Sequence, residues 1–218
     1  MIGFSAASYS FSEAVGTALI QINRTGDLSN PATVSFETQD GIALSGTHFG
    51  GVTNTVTFNT GVASVLASVV ISNDASVNID RTFTVFLLNP SPTNANFVTL
   101  GGALVTIVNE DVDLQFSTGS YAVNESVGTA TVTVNRTGLT TGTSTVNYSA
   151  SGGTAIDYLD YNSTNGSLSF GPGVTSLTFG VRIIDNTVTN VAKTVNLALS
   201  NPGGSASTRL GVINTALL

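Results

Sequence analysis

FSAASYSFSEAVGTALIQINRTG, residues 4–26, returns as FSTGSYAVNESVGTATVTVNRTG, residues 116–138. The shift is 112 positions (116 − 4), and 13 of the 23 aligned residues are identical. That period is too long for the repeat of a helical or leucine-rich solenoid and is the size of a complete small domain. The chain is therefore read as two copies of one unit, residues 1–112 and 113–218. A unit of just over a hundred residues can bury its own core.

Within each copy the periodicity is that of strands. Residues 130–134 read ATVTV, with Thr131 and Thr133 on the wet face, and residues 18–22 alternate in the same way. Further strands are predicted at 34–36, 56–58, 65–71 and 83–87, with partners at 146–148, 168–170, 177–183 and 195–199. An opening strand at 4–11 and a closing one at 104–107 make about seven per repeat. Turn residues such as Asp40-Gly41, Thr60-Gly61, Gly152-Gly153 and Asn201-Pro202 separate them. Short strands without crossover helices predict an all-β chain of two tandem immunoglobulin-like antiparallel β-sandwiches. The connection at 108–115 is so short that the two are expected nearly end to end, with Asp111 to Asp113 at the joint.

Composition narrows the partners. Charged residues are 9% of the chain, 13 acids stand against 6 bases, and the bases are scattered singly. No basic stripe exists to neutralise phosphates, so nucleic acid and anionic membrane surfaces are excluded as expected partners. A cation is what a sparse acidic chain attracts. The absence of cysteine removes disulfides and thiolate metal sites. The longest apolar run, VASVLASVVI at 62–71, is too short for a membrane span, so no membrane insertion is expected. Met1 leads straight into the first repeat, without a signal-peptide pattern. Residues 216–218 stop where repeat 1 continues as ALVTIVNED, 103–111. The chain thus reads as a piece of a longer protein, with an exposed sheet edge at its last strand that favours self-association.

Each copy resembles a Calx-beta domain, the module named from sodium/calcium exchangers and common in large extracellular and bacterial surface proteins. The resemblance is carried by the opening F-S-x-x-S-Y-x-x-x-E-x-V-G, by GTAIDYLDY at 153–161 and by the F-x-x-G turns at 58–61 and 170–173. Ile183-Ile184-Asp185 and the L-x-N-P signatures at 87–90 and 199–202 complete it. It implies Ca²⁺ as the one cofactor, held by carboxylates gathered at one end of each sandwich. A hard cation takes six to eight oxygens, so counting acids is a physical test.

At the matching positions repeat 1 has Glu13, His48, Asn73-Asp74, Asn78, Arg81 and Asn109-Glu110-Asp111. Repeat 2 has Glu125, Asp160, Asp185-Asn186, Asn190 and Lys193. The metal candidates are therefore Glu13, Asp74, Glu110, Asp111, Glu125, Asp160 and Asp185. Both copies depart from the pattern by placing a base, Arg81 or Lys193, where the calcium-binding members have an acid. Such a base can pair with Asp74 or Asp185 and replace the ion, so calcium and an internal cation both stay open.

Two further readings concern the acids near the joint and the exposed aromatics. Glu110, Asp111 and Asp113 form either a metal site, helped by Glu13 and Asp74, or a solvated turn. Tyr158 and Tyr161 are the better candidates for an exposed ligand contact, whereas Tyr9 and Tyr121 are expected to pack.

No catalytic constellation occurs. His48 is the only histidine, and neither a nucleophile elbow, a zinc helix nor a phosphate-binding glycine loop is present. His48 is expected in an exposed turn. The Asn-Arg-Thr triplets at 23–25 and 135–137 are expected to cap hairpins.

The function implied is a non-catalytic spacer or adhesion repeat of a surface or secreted protein, stiffened by weak calcium binding. Its partners would be neighbouring repeats and a protein or glycan ligand. The alternatives are a calcium-sensing regulatory module and an accessory domain of a secreted hydrolase or protease.

Overall fold

The computed structural model describes residues 1–92, 101–186, 191–204 and 207–218. They fall into two compact units, Met1–Asn109 and Glu110–Leu218. The first comprises β1 (Ile2–Phe4), β2 (Ser8–Ser12), β3 (Thr17–Arg24), β4 (Ala32–Gln39), β5 (Thr53–Phe58), β6 (Ser64–Val70), β7 (Arg81–Ser91) and β8 (Gly102–Val108). Its sheets run β1-β3-β6 and β2-β8-β7-β4-β5.

The second unit comprises β9 (Asp111–Phe116), β10 (Thr129–Gly138), β11 (Ser144–Ser151), β12 (Tyr161–Asn162), β13 (Thr164–Phe170), β14 (Ser176–Ile183), β15 (Asn196–Gly204), β16 (Ser207–Leu210) and β17 (Thr215–Leu217). Its sheets run β12-β14-β10-β9-β16 and β13-β11-β15-β17. Both units are β-sandwiches, as the alternation and the missing helices predict.

The period-2 pattern sorts core from surface. On β3, Ala18, Ile20 and Ile22 are buried, while Thr17, Leu19 and Gln21 face out. On β10, Ala130, Val132 and Val134 take the same places. Each fully buried aliphatic side chain of this kind contributes about 1.5–3 kcal/mol. Phe36, Phe49, Phe58 and Phe83 fill the first core, and Phe116, Tyr161 and Phe170 the second.

The opening strand is not the single one expected. Phe4 on β1 pairs with Ile22 in one sheet, whereas β2 runs parallel to β8 in the other. Residues 5–7 carry the chain across, and the repeated Ser and Tyr hold the crossing. The Tyr9 hydroxyl donates to the Gln21 carbonyl at 3.0 Å and lies 2.9 Å from Ser5 Oγ. Tyr121 does the same with the Thr133 carbonyl at 2.9 Å and Ser117 Oγ at 3.0 Å. This geometry accounts for the S-x-x-S-Y stretch that opens each copy.

In the Asn-Arg-Thr triplets the arginine, not the asparagine, carries the structural role. Arg136 is 2% exposed, and its guanidinium donates to the carbonyls of Leu139, Gly142 and Gly171. Arg24 donates to the Asp27 carbonyl at 2.8 Å. The last strand, β17, has three residues where β8 has seven, and it pairs with β15 through Asn196↔Leu217, Leu197↔Ala216 and Ala198↔Thr215.

Candidate metal centre

Glu13 opens a 3-10 turn after β2, where Ser12 Oγ accepts the Ala14 N–H at 3.1 Å. The turn points the Glu13 side chain inward, and the residue is 2% exposed. Asp74 follows β6 in a loop that it also braces. Its carboxylate accepts the Ser76 N–H at 2.6 Å and the Asn78 side-chain amide at 3.2 Å. Asp111 is the first residue of β9 and is fully buried.

Carboxylate oxygens of Glu13, Asp74 and Asp111 lie within 4.8 Å of one another. Three negative charges at that spacing repel by about 3–4 kcal/mol per ionised pair at an effective dielectric near 20. Among the described residues neither oxygen of Asp111 has a hydrogen-bond donor. The Asn109 amide, oriented with its nitrogen toward the acids, donates to Glu13 Oε1 at 3.0 Å and to the Ser76 carbonyl at 3.1 Å. Several hard oxygens therefore converge on one point with too few protons between them, and the donor set fits a hard divalent cation.

Glu110 is half-buried and stands outside this group of three. Asp113 is engaged elsewhere: its Oδ1 accepts from Arg209 Nε at 2.6 Å, across the parallel pairing of β9 and β16. Arg81 approaches Asp74 at 3.8 Å, a looser ion pair than a bidentate one. His48 is half-buried, and its Nδ1 accepts the Leu44 N–H at 2.9 Å, so it closes a turn. Two contributors escaped the sequence reading. Asp80 accepts the Asn109 N–H at 3.1 Å, and the Ser76 carbonyl accepts the Asn109 amide at 3.1 Å. A backbone oxygen leaves no mark in residue types, and Asp80 has no acidic counterpart one period on.

The second unit assembles its acids differently. Lys193 Nζ donates to Asp160 Oδ1 at 2.7 Å and to Oδ2 at 2.8 Å. The partner expected for a base there, Asp185, is exposed, as is Glu125. Asn190 lies outside the described residues. Among the described residues no three carboxylates of this unit come together. The Asp160 carboxyl is held below the usual carboxylate range, first by Lys193 and then by the Ile156 N–H. Tyr161, expected to be exposed, is 2% exposed and packs in the core where the first unit has Phe49, while Tyr158 is 79% exposed.

Among the described residues no helix is long and apolar enough to cross a membrane. The Calx-beta domain model matches twice, at residues 1–111 and 108–217. Sodium/calcium exchanger 1 of Canis lupus familiaris is 32% identical over 92% of the chain and 23% of its own length. Extracellular matrix organizing protein FRAS1 of Mus musculus is 28% identical over 94% of the chain, which spans 6% of that protein. The chain therefore covers less than a quarter of either relative. The solved structure titled calcium binding domain CBD12 of CALX1.1 superposes over the whole chain and 98% of its own, with a TM-score of 0.54 at 23% identity, and so shares the fold. The two successive matches to the domain model, together with the sandwich of each unit, show that the chain belongs to the Calx-beta domain family.

Proposed function

We propose that the chain is a non-catalytic tandem module whose first Calx-beta match, residues 1–111, binds Ca²⁺ through Glu13, Asp74 and Asp111, and whose second match substitutes Lys193 for the ion. The observation that carries the reading is Asp111, a wholly buried carboxylate with no donor on either oxygen among the described residues, set within 4.8 Å of two other carboxylates. An uncompensated buried charge is strongly unfavourable unless a counter-ion joins it. Bound calcium would supply that charge and accept oxygens from all three side chains. The Asn109 amide keeps Glu13 oriented, and the Asp74 loop is already braced by its own hydrogen bonds.

The names of FRAS1 and of the adhesion G-protein coupled receptor V1 of Danio rerio, 29% identical over 92% of the chain, support an extracellular spacer or adhesion role. Three carboxylates and a nearby arginine suit the weak range of about 10⁻⁴–10⁻³ M typical of extracellular calcium modules. A sensor of the exchanger kind would need tighter binding.

Thermal unfolding in millimolar Ca²⁺ and in chelator, for the wild type and Asp111→Asn, tests the proposal. A ligand at a hundredfold excess over its Kd stabilises the native state by about 2.7 kcal/mol, which for a domain of this size is about 10 °C in Tm. Wild type is expected to gain with calcium, approaching that value as the site saturates. Asp111→Asn is expected to gain nothing and to be the more stable of the two in chelator. An unchanged wild-type Tm at 10 mM Ca²⁺, ~ten times the weak end of that range, would sink the reading.

A further inference from the structure

The two copies share a sandwich but not an outer face. On β3 and β6 of the first unit, Leu19, Leu66 and Val70 are 51%, 58% and 59% exposed. Leu19 pairs with Ser68, which sets it diagonally between Leu66 and Val70, so the three form one apolar patch. One period on, the matching positions are Thr131 on β10 and Thr178 and Arg182 on β14, all exposed. Polar residues therefore build the same sheet, and the fold does not call for leucine or valine on that face. A contiguous apolar patch that the fold does not require marks a contact surface.

The patch borders an open strand edge. The sheet runs β1-β3-β6, and among the described residues no strand pairs with the outer side of β6. Arg24 N donates to the Ala63 carbonyl at 2.8 Å and Ile71 N to the Gly16 carbonyl at 3.0 Å, which makes the odd-numbered residues of β6 those bonded to β3. The N–H and C=O groups of Ser64, Leu66 and Ser68 consequently point away from the sheet. At one end Gly50 N already takes the Val70 carbonyl at 2.8 Å, and at the other Val62 N is turned to the Asn59 carbonyl at 3.0 Å. The free stretch is thus Ser64 to Ser68, centred on Leu66.

Devices that blunt an edge are missing here: VASVLASVVI at 62–71 has no charge, proline or glycine. The matching edge of β14 carries Thr178, Gly180 and Arg182, and the open edge of β5 turns out only Thr53, Thr55 and Thr57, because Thr38 N bonds the Val52 carbonyl at 3.0 Å. The β6 edge suits a second copy of itself. A two-fold axis through Leu66 lays β6 antiparallel to its mate, with Leu66 opposite Leu66 and Ser64 opposite Ser68, each pair exchanging both N–H···O bonds. Side chains near such an axis meet their own kind, so a charge there would meet a like charge. The chain carries a net charge of −7, yet residues 17–23 of β3 and 64–70 of β6 include no charged side chain. A charged partner strand would call for complementary charge on that stretch.

We propose that β6 pairs edge to edge with β6 of a second copy of this chain, joining the two β1-β3-β6 sheets into one, with Leu66 on the axis and Leu19 beside it. The test is sedimentation equilibrium of the whole chain from micromolar to millimolar concentration, for the wild type, Leu66→Lys, Ser68→Pro and Thr178→Lys, with amide hydrogen exchange of the wild type at both ends of that range. Leu66 is 58% exposed, so Leu66→Lys is expected to leave Tm unchanged and to weaken the dimer by about tenfold or more, since two ammoniums meet on the axis. Ser68→Pro removes an N–H that β3 does not use, so it is expected to fold and to weaken the dimer as well. Thr178→Lys alters the second unit's edge and is expected to change nothing. The Leu66 and Ser68 amides are expected to exchange more slowly at the higher concentration. A wild-type chain that stays monomeric throughout overturns the proposal. So does a dimer that survives Leu66→Lys or Ser68→Pro, a dimer that Thr178→Lys abolishes, or exchange at Leu66 and Ser68 that ignores concentration.

Discussion

Lys193 places its ammonium against both oxygens of Asp160, at 2.7 and 2.8 Å, where one period earlier the chain has Arg81 and His48. His48 turns its Nδ1 to the Leu44 N–H, and Arg81 reaches Asp74 only at 3.8 Å. The same sandwich end therefore closes in two ways. Asp160 is neutralised by a side chain, whereas among the described residues Asp111 has no hydrogen-bond donor on either carboxylate oxygen.

The pair makes the second unit acid-sensitive. Asp160 has a folded pKa below its ordinary 3.8, so its contribution to stability is present above that value and lost as pH falls through the lower, folded one. Urea midpoints from pH 7 to pH 2 should decline for the wild type below about pH 4. Lys193→Met should start lower at neutral pH and decline less over that window. Asp27 and Asp157, also lowered by their serine hydrogen bonds, leave a shared residual slope. Curves that run parallel would remove Lys193 as the cause.

Arg81 should oppose metal in the first unit. Its guanidinium lies 3.8 Å from one of the three clustered carboxylates and is 22% exposed, so its charge repels a divalent ion with partial screening. Arg81→Met is expected to tighten Ca²⁺ binding by on the order of tenfold, read by calorimetric titration at low salt, with a smaller gain at high salt. Equal affinities for the two proteins would show that Arg81 swings away.

How much of this was legible follows from what a repeat can encode. Alternation at 18–22 and 130–134 marked the strands and their buried faces, because period 2 is a property of the residues themselves. The split of the opening strand was not legible, since residues 5–7 differ from a strand only in which sheet accepts them. Glu13, Asp74 and Asp111 stand at positions that the family pattern marks, and their carboxylates lie close together, whereas Asp113 is engaged by Arg209. Sequence places loops at one end of a sandwich but does not say which carboxylate a long, flexible base will reach. For that reason the pairing open to Lys193 from the sequence is with Asp185, while the ammonium is found on Asp160. Tyr161 carried a usable signal: its counterpart one period earlier is Phe49, an apolar ring that belongs in a core.

Gly153 holds the loop that presents Asp160. Its φ is +90°, and a Cβ there would overlap the Thr194 carbonyl, which already accepts the Ala155 N–H at 3.0 Å. Gly153→Ala is expected to cost more than about 1 kcal/mol, since both the conformation and the close approach are lost. Thr194 adjoins Lys193, so the shift should also loosen the Lys193–Asp160 pair. Thermal unfolding reads the first effect, and a flatter acid limb reads the second.

Arg136 gives the sharpest test of what binds the second sandwich together. Its guanidinium spans three carbonyls, of Leu139, Gly142 and Gly171, that belong to two separate turns, and burial pulls its pKa down without a carboxylate to offset it. Hydrogen bonds from a charged donor contribute about 1.5–3 kcal/mol each, so Arg136→Met is expected to cost about 3 kcal/mol or more, after allowing for the packing that methionine restores. Lysine keeps the charge but has one donor centre where the fork has three nitrogens, so Arg136→Lys should rescue little. Chemical denaturation of the three proteins distinguishes the causes. A lysine variant as stable as the wild type would mean that charge, and not the span of the fork, fixes those turns.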